Sequence, residues 1–372
     1  MSTSDAGGPL DERWRADRMT VQEAAVPAGS AVVSCPAPYG GGGLGRHLQE
    51  IVQALERREQ APQVVCESAD EPAGRRPGAG ELARLLRPVG RFSPAWRMWA
   101  ASVRFDSAAA ERPLRPADHL IAFNGTALAQ FRAAQSTGAS PWLVSANSHM
   151  QNVIRQHELA HSEYPIERPW ATHLLRRNLA EYRRAEGIYV SSSYVRESLV
   201  EHGLAQETLH LFPLTPHPRF KPAPRPAPAN TFNVVYSGSL TVHKGVPLLV
   251  DAFGRLPHDD LRLVLVGGWK TRSMRRFIER ACAADSRIQA GPGDPLPHLR
   301  AARLCAHPAY EDGFAYAPAE ALAAGVPVIV SEDTGMKELI DSDRHGLVLP
   351  TGDPDALAQG IQAAYRGEVL GG

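Results

Sequence analysis

A two-domain α/β chain, each domain a doubly wound parallel sheet, is predicted by three observations. Short β-branched runs alternate with helix-compatible segments along most of the sequence. The chain has 372 residues, 43% of them hydrophobic, enough to fill two separate cores. Near the middle the alternation stops at HPRFKPAPRPAPANT, residues 217–231, whose prolines fix φ and remove backbone donors. That piece reads as a linker between a first domain at 29–216 and a second at 232–372, and residues 1–28, polar and without a clear period, read as a flexible arm.

The elements follow in order. Ala31–Cys35 has strand composition, leads into a glycine-rich loop, and precedes a helical pattern marked by Leu48, Ile51, Val52 and Leu55. Residues 64–66, 119–123 and 142–145 continue the strands of the first domain. Beyond the linker come strands at 232–237 and 261–266, a helix through 248–256, a helix around 272–284, and a strand at 326–330. Parallel sheets of this kind bind ligands at the carboxyl ends of their strands, so a cleft between the two domains is the expected site.

Composition narrows the function. Lys+Arg and Asp+Glu number 40 each, which gives no overall steering toward nucleic acid. The four cysteines, Cys35, Cys66, Cys282 and Cys305, form no C-x-x-C pair, and no secretory signal or long apolar span is read. A cytoplasmic protein with reduced thiols is expected, in which the sequon Asn124-Gly125-Thr126 stays unmodified.

Three motifs carry candidate chemistry. The first, His157-Glu158-x-x-His161, would place two imidazoles on one helical face around zinc with the glutamate activating water, and Glu181 or Glu186 could complete the ligands of a peptidase. Arg155 and Glu163 close to the motif, and Pro165 just beyond it, argue for a polar helix end instead. The second is YGGGGLGRHLQE. Gly40-x-Gly42-x-x-Gly45 fits a dinucleotide fingerprint, with Glu67 after the next strand as the ribose acid, so an NAD(P)-dependent oxidoreductase is an alternative. Residues 36–39 intervene between strand and fingerprint. The more general reading is that Gly41, Gly42 and Gly43 let backbone amides approach a donor's anion or sugar at a helix N-terminus, with Arg46 and His47 on the acceptor side.

The third motif is HPAYEDGFAYAPAEALAAGVPVIVSEDTG, in which Asp312 and Glu320 are separated by seven residues. With YSGSLTVHKGVPLLVDAF from 236, LVLVGG from 263 and GMKELIDSDRHGLVLPTGD from 335, it resembles the acidic-x7-Glu signature of retaining GT-B glycosyltransferases, family 4. Upstream, GIYVSSSYVRESLVEHG and HPRF resemble the close of that family's first domain and its exit to the linker. The resemblance implies two Rossmann-like domains facing each other across a cleft, and a sugar transferred with retention from a nucleotide sugar, a UDP-sugar favoured, to a hydroxyl on a glycan, glycolipid or natural product. It implies neither a cofactor nor a metal.

Residue roles come with it. Glu320 is implied to accept from ribose hydroxyls, Asp312 from the donor sugar, and Lys244 to neutralise the leaving phosphate. Gly238 and Ser239 sit in the donor loop, and His149 resembles a first-domain histidine that contacts the donor sugar. Pro318 suits a first helical turn, which would aim the amides of Phe314, Ala315, Tyr316 and Ala317 at a diphosphate. The chain departs from the family pattern at Asp312, where Glu is usual, and at Ser239, where Arg is usual; a non-catalytic sugar-nucleotide binding protein is the corresponding alternative. Residues 75–104 hold seven arginines against Glu81, with Trp96 and Trp99 among them, a composition suited to peripheral contact with anionic lipid.

Overall fold

The computed structural model describes residues 10, 12–67, 94–112, 115–223, 231–342 and 344–369. They divide into two compact units, one of residues 17–154 and 168–214, the other of residues 1–16, 155–167 and 215–372. Most of the expected linker, 224–230, and the arginines of 75–91 lie outside the described residues.

The chain begins with helix α1 (Glu12–Ala25) and runs through β1 (Ala31–Cys35), α2 (Gly42–Arg57), β2 (Gln63–Cys66), α3 (Pro94–Ala110), β3 (His119–Phe123) and α4 (Leu128–Thr137). It continues as β4 (Ser140–Ser145), α5 (Met150–Glu163), α6 (Leu175–Tyr182), β5 (Gly187–Val190), α7 (Ser193–Glu201) and β6 (Leu209–Leu211). The six strands form one sheet in the order β2-β1-β3-β4-β5-β6, every pairing parallel. Both faces are covered, which is why the strands are continuous apolar runs and why β1 is buried at every residue. Leu120, Phe131, Leu143, Ile188 and Val195 belong to its core.

Polar chemistry holds the start of α4. The first amides of a helix have no intrahelical acceptor. Here Glu181 accepts from Gly125 at 2.5 Å, Ala127 at 2.9 Å and Leu128 at 3.2 Å, and Asp106 from Ala129 at 2.7 Å and Gln130 at 3.0 Å. Arg177 lies between the two carboxylates, paired with Asp106 and 3.3 Å from Glu181. Burial nevertheless keeps the Glu181 carboxyl above its ordinary range, ahead of the lowering by Arg177 and the amides. The Asn124-Gly125-Thr126 sequon is folded into this turn, with Thr126 buried.

The expected flexible arm contains α1, a correction to the sequence reading. Its anchors are long-range polar bonds rather than an apolar stripe. Arg15 donates to the carbonyls of Pro216 at 2.5 Å and Phe220 at 3.1 Å, and Gln22 to that of Pro213 at 2.6 Å.

The second unit holds β7 (Phe232–Ser237), α8 (Val246–Gly254), β8 (Leu261–Val266), α9 (Arg272–Ala284), β9 (Ile288–Gly291), α10 (Pro295–Arg300), β10 (Leu304–His307), α11 (Tyr316–Ala323), β11 (Val328–Ser331), β12 (Gly346–Leu349) and α12 (Pro354–Arg366). Its sheet order is β12-β11-β10-β7-β8-β9, again all parallel. The order reverses between β7 and β10, and ligands of doubly wound sheets bind where that reversal opens a crevice at the carboxyl ends. The end of α5 and the residues after it belong to this unit. Ala160 joins its core, the Tyr164 hydroxyl donates to Asp251 at 3.1 Å, and Tyr310 donates to Glu163.

All four cysteines are free. Cys35, Cys66 and Cys305 are buried in the sheets, where Cys35 and Cys66 are register partners on adjacent strands. Among the described residues, no helix is long and apolar enough to cross a membrane.

Candidate functional site

The two loops that leave β7 and β10 at the switch point are tied together residue by residue. Leu240 and Val242 are buried in the core and pin the β7 loop. The Tyr310 amide donates to the His243 carbonyl at 2.9 Å. Gly245, at φ +72°, begins α8, and a Cβ there would sit 1.8 Å from the carbonyl oxygen of Pro308. Only glycine permits that approach of one loop to the other.

This packing brings Lys244 to Asp312. The ammonium lies 2.8 Å from Asp312 Oδ2 and donates to the Glu311 carbonyl at 3.0 Å. His307, the last residue of β10, lies 3.2 Å from the same Oδ2 through Nε2. Desolvation pushes the Asp312 carboxyl up, but Lys244 and His307 outweigh it and hold the group well below the usual carboxylate range. Both partners sit on one oxygen, which leaves Oδ1 as an acceptor. The Asp312 backbone is fixed as well, donating to Asp333 at 3.2 Å and accepting from Gly335 at 3.0 Å.

Phe314, Ala315, Tyr316 and Ala317 lead directly from Asp312 into α11, with Pro318 in its first turn. Ala315 is the residue before the helix and adopts φ +64°, a left-handed conformation that costs a side-chain-bearing residue about 1 kcal/mol or more. The bend carries the chain from the Asp312 loop into α11, and the dipole at a helix N-terminus favours an anion. Glu320 lies one turn further in and is buried; its charge, after burial itself, raises the Cys305 thiol to about 12. On the β7 side Tyr236 donates to the Ser239 carbonyl at 2.9 Å, which shapes the Gly238-Ser239 turn. The second unit thus assembles a cation, an ionised carboxylate, a helix N-terminus and a buried glutamate at its switch point.

Comparison with known proteins agrees with this geometry. The family described as "Glycosyl transferases group 1" matches residues 231–366, and the "Glycosyl transferase 4-like domain" matches residues 42–215. The chain belongs to the glycosyl transferases group 1. A D-inositol 3-phosphate glycosyltransferase of Xylanimonas cellulosilytica is 28% identical over 144 residues, 37% of this chain and 34% of that protein, so the similarity spans about a third of the relative's length. Among solved structures, sucrose-phosphate synthase from Thermosynechococcus elongatus superposes with a TM-score of 0.66 at 18% identity, covering 91% of this chain and 90% of that one. Anabaena HepE in complex with UDP-glucose gives 0.64 at 15% identity, covering 92% and 91%. These likenesses establish the GT-B fold.

Other expected site residues of this group 1 chain fall into the first unit, and not all are open to a ligand. Gly41 caps α2, and Gly42 and Gly43 supply its first amides, which have no intrahelical acceptor. The loop is closed on itself: Gly40 donates to the Gly45 carbonyl at 3.0 Å and Gly41 to that of Pro38 at 2.9 Å. A Cβ on Gly45 would lie 1.9 Å from the Pro38 oxygen, so this glycine serves the turn. Arg46 is half-buried on α2. His47 is buried, 5.2 Å from the Phe123 ring and 5.9 Å from that of Phe212, and burial lowers it to about 3. His149 is buried before α5, stacked on His202 at 4.0 Å, with Nδ1 accepting from the Gln151 amide at 3.3 Å. Burial, then the charge of His202, lowers it to about 4, so it is neutral at pH 7 and can donate through Nε2.

The competing motifs lack support. His161 Nδ1 is turned to the His157 carbonyl at 2.6 Å, and the His157 ring stacks on His243 at 4.4 Å. Glu181 is spent on the α4 amides and Glu186 accepts from Ser140. Among the described residues no group of three candidate ligands gathers around a metal position. The dinucleotide alternative fails on loop length, since residues 36–41 separate β1 from α2 where a pyrophosphate turn is tight. Sequence reasoning missed His307. Its signal was a histidine at a strand end five residues before the acidic residue of the motif.

Proposed function

We propose that the protein transfers a sugar from a nucleotide-sugar donor, with a UDP-sugar favoured, to an acceptor hydroxyl with retention at the anomeric carbon. The observation that carries the proposal is the Lys244–Asp312 pair at the switch point, beside the start of α11. In this reading the α11 amides and Lys244 take the diphosphate. Asp312 Oδ1 accepts from a sugar hydroxyl and Glu320 from the ribose.

The bond from the anomeric carbon to the β-phosphate oxygen breaks with its electron pair going to the phosphate. The acceptor oxygen bonds to that carbon on the same face, and its proton passes to a phosphate oxygen. The protein contributes position and charge, with no side-chain nucleophile, resident cofactor or metal assigned. Complexes of HepE with UDP-glucose add weight to a UDP-sugar.

The test is thermal unfolding with UDP-, GDP- and dTDP-sugars, on wild type and Glu320→Ala. One nucleotide class should stabilise the wild type, by about 2.7 kcal/mol at a hundred times its dissociation constant, and not the variant. Stabilisation of both proteins alike, or by NAD(P)+ alone, would remove the proposal.

The same reading includes peripheral contact with anionic lipid through α3, where Trp96, Arg97, Met98 and Arg104 are exposed. Full-length protein is expected to sediment with vesicles rich in phosphatidylglycerol and to do so less with Trp96 and Arg97 both changed to Ala. Equal sedimentation of the two proteins would dismiss α3 as the contact.

A further inference from the structure

His307 stands apart from the motif residues, yet among the described residues it joins Lys244 in contact with the Asp312 carboxylate. Its position is rigid. It closes β10, a fully buried strand, and its ring lies parallel to that of Tyr236 at 5.6 Å with 7° between the planes. Tyr236 is itself fixed by its bond to the Ser239 carbonyl. The imidazole is buried, and its Nδ1 has no hydrogen-bond partner. A carboxylate oxygen only accepts, so the hydrogen bond needs a proton on Nε2. Among the described residues, the titratable groups that face Asp312 are Lys244 from the β7 loop, Tyr236 from β7 and His307 from β10.

The two donors on Oδ2 differ in kind. Lys244 is a flexible point charge, whereas His307 is held by its strand and by ring stacking. Under the proposed function, on which this inference rests, the lysine ammonium must turn toward the donor's phosphate. Asp312 would then lose its strongest partner at the moment when Oδ1 has to be aimed at the sugar.

We propose that His307 is a positioning residue that keeps the Asp312 carboxylate ionised and oriented through Nε2–H when Lys244 is engaged by the donor phosphate. Its effect on the reaction passes through Asp312, and it makes no contact with substrate.

The full-length protein tests this in three measurements. Long-range 1H–15N spectra of wild type need no substitution and should show His307 with its proton on Nε2; a proton on Nδ1 alone would overturn the proposal. Titration of Asp312 by carboxyl 13C shifts, in wild type, His307→Gln and His307→Phe, should show the carboxyl ionising at higher pH in the Phe variant. Gln, whose amide nitrogen takes the place of Nε2, should restore the wild-type behaviour. Coincident curves for wild type and His307→Phe would mean that the ring only packs.

Finally, with UDP-glucose as probe, turnover in His307→Phe should fall about tenfold to a hundredfold, as a misplaced group does, while UDP binding changes by less than about threefold. His307→Gln should recover most of the loss, and equal turnover in all three proteins would overturn the role. If the titration shifts as expected but wild type neither binds nor turns over UDP-glucose, the positioning of Asp312 stands and the choice of donor falls.

Discussion

Ala315 shows how the site is bought at the level of one residue. The bend that leads from the Asp312 loop into α11 takes φ +64° at Ala315, and a methyl side chain bears it there. A β-branched side chain at such a φ is a steric outlier. Ala315→Val should therefore destabilise the second unit by more than about 1 kcal/mol. Ala315→Gly should leave the unfolding midpoint unchanged or higher, since relief of strain offsets the added freedom of the unfolded chain. Urea unfolding of the three proteins distinguishes the cases, and a Val variant as stable as wild type would show that the bend carries no strain. The carboxylate beside it acts with a definite sign. The Asp312 carboxyl is depressed in the folded state, so its ion pair contributes stability above the ordinary carboxylate pKa and loses it as the pH falls through the lower, folded value.

At the scale of elements, the regular parts of the fold were legible. Strands β1, β3, β7 and β8 and helix α9 fall on the residues that apolar runs and helical periodicity mark, because a buried parallel strand must be continuously apolar. The short strands β6, β9, β10 and β12, three or four residues each, were not singled out, since so few residues give no period. Helix α1 was missed for a different reason: what holds it is distant backbone carbonyls, which leave no local pattern. The site divides in the same way. Asp312 and Glu320 were singled out by their spacing and Lys244 by the resemblance, whereas the burial of His47 depends on Phe123 and Phe212, far away in the chain. Helix starts give a further test. Glu181→Gln keeps the size of the side chain but removes a charged acceptor from the amides of Gly125, Ala127 and Leu128 and leaves Arg177 short of a partner. A loss of about 1–3 kcal/mol in the first unit is expected by urea unfolding; a loss below about 0.5 kcal/mol would show that these bonds are worth no more than those made to water.

For the whole molecule, buried neutral histidines set the response to acid. Burial lowers His47 and His157 to about 3, with Lys244 and His161 adding to the effect at His157, and lowers His243 well below its ordinary 6.5. Unfolding frees all three to ionise near the ordinary value, so below it the unfolded chain binds more protons than the folded one. Stability should then fall as the pH drops from about 6.5 toward 4, by up to about 1.4 kcal/mol per pH unit for each histidine. Unfolding free energies at several pH values measure the slope, and a flat profile from pH 6.5 to 4.5 would contradict the buried neutral state.

The buried thiols have a consequence of their own. Cys35 and Cys66 sit side by side in the sheet of the first unit and Cys305 in that of the second, while Cys282 is only partly covered. Burial also raises the Cys35 and Cys305 thiols, so they are protonated as well as shielded. An alkylating reagent attacks thiolates and can reach these three only while a strand is open. After Cys282 has reacted, the order in which the remaining mass tags arrive reports which sheet opens first, from the unaltered chain and with no label engineered into it.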